Sequence, residues 1–142
     1  MALRRILLLV ASAALAAGCG MQKKEPPPKP FVGTKWVVQL ELPVQGEQPW
    51  VRFGDGRMEG FGGCSQFHAH ILQDSVGAKA IAIKRIELRQ QGVCEANVVA
   101  AERRMLATLQ DVSAYAISVD VMKMSGSGGT LVLRAVSLEA MR

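Results

Sequence analysis

Apolar and polar positions alternate along most of the chain, the period of strands with one buried face. Trp36–Leu42 reads as a strand and runs into a turn at Pro43–Gly46. Trp50–Phe53 and Arg57–Phe61 flank Gly54-Asp55-Gly56, a strong hairpin signal because glycine supplies the backbone freedom a tight turn needs. Gly60, Gly62 and Gly63 surround Phe61 where a strand bends sharply or another backbone comes close. Beyond them Phe67, Ala69 and Ile71 alternate inward, so His68 and His70 point outward together. Further strands are Ala80–Ile86, Ala114–Val119 with its extension to Met124, and Thr130–Val136 after the loop Ser125–Gly129. One segment changes period. From Glu95 to Asp111 the apolar residues Val98, Ala101, Met105, Leu109 and, just beyond, Val112 recur at three and four, with Glu102, Arg103 and Gln110 off that stripe, which predicts one amphipathic helix. The expected fold is mainly β (α+β), a small antiparallel β-barrel-like sheet closed by that helix. Trp36 and Phe31 are expected as core anchors. Glu102 either faces solvent or accepts hydrogen bonds from backbone groups of the glycine bend.

The N-terminus follows neither period. Arg4 and Arg5 precede the apolar run Ile6–Ala17, which ends at Gly18-Cys19. A twelve-residue run is short of the roughly 20 residues that span a bilayer, so residues 1–18 read as a secretory signal peptide. Leu15-Ala16-Ala17-Gly18-Cys19 resembles a bacterial lipobox, which implies that Cys19 carries diacylglyceryl and N-acyl (palmitate-type) chains, enough for stable anchoring. Gly20 in place of Asp resembles the outer-membrane-directed class of such lipoproteins. The expected location is therefore the cell envelope, lipid-anchored to the outer membrane and facing the periplasm. Residues 19–30 hold four of the six prolines with three lysines and read as an extended tether, about 3.1 Å per residue and roughly 30 Å long. The domain proper is 31–142.

Charge and composition add little. The net charge of +5 includes Arg4 and Arg5 and is otherwise dispersed, which argues against a nucleic-acid surface. The mean hydropathy of +0.18 owes much of its excess to Ile6–Ala17. With Cys19 assigned to lipid, Cys64 and Cys94 remain as an even pair in an exported domain, and a disulfide between them is expected, the alternative being two buried free thiols. His68 and His70 share a strand face and form a weak metal-binding pair that lacks a third ligand, Asp74 being only a nearby loop carboxylate. Cys-x-x-Cys, a nucleophile elbow, a phosphate loop and an evident carboxylate pair are all missing, so neither an enzyme nor a cofactor is expected.

Phe31-Val-Gly-Thr-Lys-Trp36, Phe53-Gly-Asp-Gly-Arg-Met-Glu-Gly60, Gly63-Cys64-Ser-Gln-Phe67, Cys94 eight positions before Glu102, and Leu131-Val-Leu133 form an ordered set. Together they resemble the META (HslJ-like) domain family over essentially all of 31–136. The resemblance implies a compact antiparallel barrel-like fold with one helix, an envelope location and a role in stress response without an assigned reaction. The expected function is a tethered, non-catalytic stress or assembly accessory module that binds the membrane through lipid and an envelope protein partner. The alternatives are a carrier of a small hydrophobic ligand or acyl chain, and a pilot-like chaperone of an outer-membrane protein.

Overall fold

The computed structural model describes residues 20, 22–73, 79–90 and 93–136. The signal peptide 1–18, the lipidation site Cys19 and Asp74 lie outside the described residues. Eight strands form a single antiparallel sheet: β1 (Lys35–Val38), β2 (Trp50–Phe53), β3 (Arg57–Phe61), β4 (Ser65–Gln73), β5 (Ile81–Gln90), β6 (Val112–Ser118), β7 (Val121–Gly126) and β8 (Gly129–Ala135). One helix, α1 (Ala96–Gln110), joins β5 to β6. The order across the sheet is β5-β4-β3-β2-β1-β8-β7-β6. Each neighbouring pair is a sequential hairpin or meander except β1 with β8, where Trp36 faces Ala135 and Val38 faces Leu133. The sheet curls until its edge strands touch at one bridge, Ala80 with Ala114, beside which the Tyr115 N–H donates to the Lys79 carbonyl at 2.9 Å.

The two-residue period sorts the side chains as expected. In β4 burial alternates strictly from Ser65 to Leu72, and Trp36, Val51, Phe53, Met58, Met122, Met124 and Leu133 are removed from solvent on the inner face. Two bulges keep the apolar set inward where the sequence breaks alternation. Ile81, Ile83 and Ile86 cannot all face one side of a regular strand, but between His68 and His70 the partner strand carries an extra residue at Arg85, whose φ is 52°. The bulge resets the parity, so Ile86 joins Ile81 and Ile83 against the core. A second irregularity between Val112 and Ala114 does the same for Val112, Tyr115 and Ile117.

Two details differ from the sequence expectation. The segment Ala114–Met124 is not one strand with an extension but a hairpin that turns at Val119-Asp120, with Val119 at φ 53°. No glycine or proline marks that turn. In α1, Glu102 lies on the buried stripe with Met105 and Leu109 rather than off it, being four residues after Val98 and three before Met105.

Residues 29–33, at the end of the stretch expected as a tether, lie inside the fold. The Phe31 ring stacks on Phe53 at 4.2 Å and on Tyr115 at 4.5 Å between centroids. Val32 forms a parallel bridge with Phe53, the Gly33 N–H donates to the Phe53 carbonyl, and the Lys29 N–H donates to the Val119 carbonyl at 2.6 Å. Residues 29–33 thus cover one end of the curled sheet, beside the β2–β3 turn. No helix among the described residues is long and apolar enough to cross a membrane.

Candidate functional site

The chemistry-bearing residues fall into two groups, a corner that holds the helix and an open outer face. At the corner, β3 leaves the sheet through Gly62 and Gly63 and returns at Ser65, with the Gly62 N–H donating to the Ser65 carbonyl at 2.9 Å. Gly63 has φ 110°, and a Cβ on Gly62 would stand 2.5 Å from Glu102 Cγ, so this bend excludes side chains. Cys64 is bonded to Cys94 with their Cα atoms 5.9 Å apart, which pins the bend to the residue before the helix cap. About two turns further along α1, Glu102 Oε2 accepts the N–H groups of Cys64 and Ser65 at 2.9 and 2.6 Å. Of the two readings open for Glu102, the structure takes the backbone acceptor. These residues bind the helix to the sheet, and Glu102 Oε2 is spent on that join.

The outer face of β2–β5 is different. Cross-strand register lines up Arg52, Glu59, His68 and Glu87 in one row, with Lys35 beside Arg52 on β1. Opposite charges alternate along it: Arg52 Nη1 lies 3.5 Å from Glu59 Oε1, and the His68 Nε2–H donates to Glu87 Oε2 at 2.9 Å. A second row, Trp50, Phe61, Gln66 and Arg89, runs on one side. There the Trp50 Nε1–H donates to Glu47 Oε1 at 2.7 Å, while Lys35 and Arg52 lie 4.7 and 5.7 Å from the Trp50 ring centre. Cations held over an indole face gain on the order of 0.5–1 kcal/mol at exposed sites. On the other side lies a third row, Arg57, His70 and Lys84.

Two open grooves lie between these rows. The larger, about 500 Å³, runs between the first and third rows, lined by Arg52, Gly54, Arg57, His68 and His70 among others. The smaller, about 270 Å³, lies between Trp50, Gln66, His68 and Arg89. His68 and His70 therefore do share a face, as alternation requires. Among the described residues no three of His, Cys, Asp and Glu are grouped to hold a metal ion, and Glu87 engages His68. Sequence reasoning overlooked Arg52, Arg57, Trp50 and Glu87 as members of this face. Alternation puts each of them outside, but which of them are neighbours depends on register and on the Arg85 bulge.

The family model of the META domain matches residues 29–137, more than half of the chain. The chain belongs to the META domain family. The match begins at Lys29, where the tether makes its first backbone contact with the META sheet. No curated protein matches this META chain. Among solved structures, the NMR structure of a protein from Burkholderia xenovorans is similar with a TM-score of 0.61 and 14% identity, over 82% of this chain and 97% of that one. A crystal structure of a DUF4847 family protein from Bacteroides vulgatus has a TM-score of 0.52 and 12% identity, over 74% and 93%. At such identities the likeness is one of fold. It agrees with the META assignment in the mainly β architecture carrying one helix.

Proposed function

We propose that this META domain is a non-catalytic binding module of the cell envelope, held at a membrane by lipid on Cys19 and engaging an envelope protein partner during stress or assembly. The observation that carries this reading is the division between a filled interior and an open exterior. Large side chains with at most 1% exposure, Trp36, Phe53, Met58, Met122, Met124 and Leu133, occupy the space inside the sheet. A carrier of an acyl chain needs that space for its guest. The two grooves instead open on the outer face of β2–β5, where charged and aromatic side chains are available to a partner. The helix, with Met105 and Leu109 in the core, acts in this reading as a stopper for the sheet rather than as a lid over a guest site.

Anchoring rests on the signal-type segment, the lipobox-like Leu15–Cys19 and the extended tether, and it directs the domain toward the periplasmic side of the outer membrane. The test is fractionation with and without Cys19→Ser. The unchanged chain is expected in the membrane pellet with acyl mass on its N-terminal cysteine, and the variant in the soluble fraction. A variant that still sediments with membranes overturns the anchor. Saturable uptake of a lipophilic dye by the isolated protein would overturn the filled-module reading in favour of a carrier.

A further inference from the structure

The third row on the outer face is out of balance. Arg52 is matched by Glu59 and His68 by Glu87, so the central row is compensated. Arg57, His70 and Lys84 stand side by side on three adjacent strands, and among the described residues no carboxylate lies within 4 Å of any of them. Arg57 and His70 line the larger groove, and Lys84 extends their row. Arg52, on the opposite wall, is partly exposed and its one carboxylate contact is the 3.5 Å approach of Nη1 to Glu59, so the exposed end of its guanidinium has donor capacity left over. Asp55 in the β2–β3 turn is the one acid on the groove that no cation engages. Arg57 and His70 on one wall, Lys84 next in their row and Arg52 across from them make a site for an anion with several oxygens. Guanidinium and ammonium groups match phosphate in particular.

We propose that this groove binds a phosphate group, and that the phosphate is a headgroup of the bilayer to which the chain is tethered. The second half rests on the anchor reading above. It follows from where the tether joins the domain: Phe31, Val32 and Gly33 all contact Phe53, the residue that precedes Gly54 on the groove wall. A spacer of roughly 30 Å that enters beside the groove brings this end of the sheet within reach of the lipid surface. Each Lys or Arg near an anionic surface contributes about 1 kcal/mol, about five-fold in affinity.

The test uses the full chain, isotope-labelled and purified in uncharged detergent micelles, with its intact mass recorded first. Phosphatidylglycerol is added to the micelles in one series and inorganic phosphate in another, and the NMR shifts of Arg57, His70 and Lys84 are followed. Phosphatidylglycerol is expected to move these three, and Arg57→Glu with Lys84→Glu to weaken the response by at least about thirty-fold while the fold is retained by circular dichroism. Arg57→Gln, a milder change at an exposed position, is expected to weaken it about five-fold. Shifts with inorganic phosphate alone would keep the phosphate site and overturn the headgroup as its source. Shifts with neither, or an unchanged response in both variants, overturn the site. Acyl mass on Cys19 without shifts at the row leaves the anchor standing and removes the groove, whereas shifts without acyl mass do the reverse.

Discussion

A carboxylate with 6% of its surface exposed has left water, and the N–H groups of Cys64 and Ser65 take over the hydrogen bonds that solvent gave Glu102. Charge-assisted bonds of this kind are stronger than neutral ones, and removing the acceptor leaves two buried donors unpaired. Glu102→Ala is therefore expected to lower the unfolding free energy by about 3 kcal/mol, and Glu102→Gln, which keeps one neutral acceptor in place, by about 1 kcal/mol. Urea denaturation reads both, and an alanine variant within about 0.5 kcal/mol of the parent would show that the carboxylate is dispensable. Half of this was legible in the sequence. The glycine bend was one of two partners open to Glu102, but the apolar pattern left the residue off the inward stripe, because a charged side chain gives no apolar signal of its own. Choosing between solvent and the bend takes the tertiary packing of α1 on the sheet, and spacing along one element does not contain it.

Helix α1 begins without help. Glu95 at the cap position has extended dihedrals, with φ −63° and ψ 147°, but makes no side-chain hydrogen bond to the first turn. Its side chain is a methylene longer than the residues that reach the N2 and N3 amides well. Glu95→Ser is expected to stabilise the domain by about 0.5–1 kcal/mol, seen as a melting temperature a few degrees higher, and an unchanged melt would mean that the disulfide at Cys94 already fixes this end. The helix, the Gly54–Gly56 hairpin and the β7–β8 hairpin could all be read from local pattern, since glycine or a change of period marks each. The turn at Val119-Asp120 could not. A β-branched residue at φ 53° is held there by its surroundings, including the Lys29 contact to its carbonyl, and those surroundings are remote in sequence.

At the level of the whole molecule, the pairing of β1 with β8 joins the first described strand to the last, so the sheet is completed only once about a hundred residues of chain stand between Lys35 and Ala135. The disulfide works on the same scale, linking residues 30 apart across the bend and the helix start. The joint substitution Cys64→Ser and Cys94→Ser is expected to lower stability by about 3–4 kcal/mol in the chain-entropy account, with reductant reproducing the loss in the parent and having no effect on the variant. A parent whose melt ignores reductant under denaturing conditions would remove the bridge from the account. The outer face was the least legible part. Strand parity assigns Arg52, Glu59, His68 and Glu87 to the outside one at a time, but their common row depends on three registers and one bulge.

The stacking of Phe31 between Phe53 and Tyr115 also determines how the domain answers force. Tension arriving along residues 20–30 meets the Lys29 and Val32 backbone contacts and the aromatic stack before it meets β1. Behind them β1 is held on both sides, by β2 and by β8. With the anchor proposed above, the stack would act as a mechanical fuse: a pull along this segment would pass through Phe31 into Phe53 of β2 and Tyr115 of β6, and parting the three rings would lengthen the leash by a few residues before β1 is drawn out.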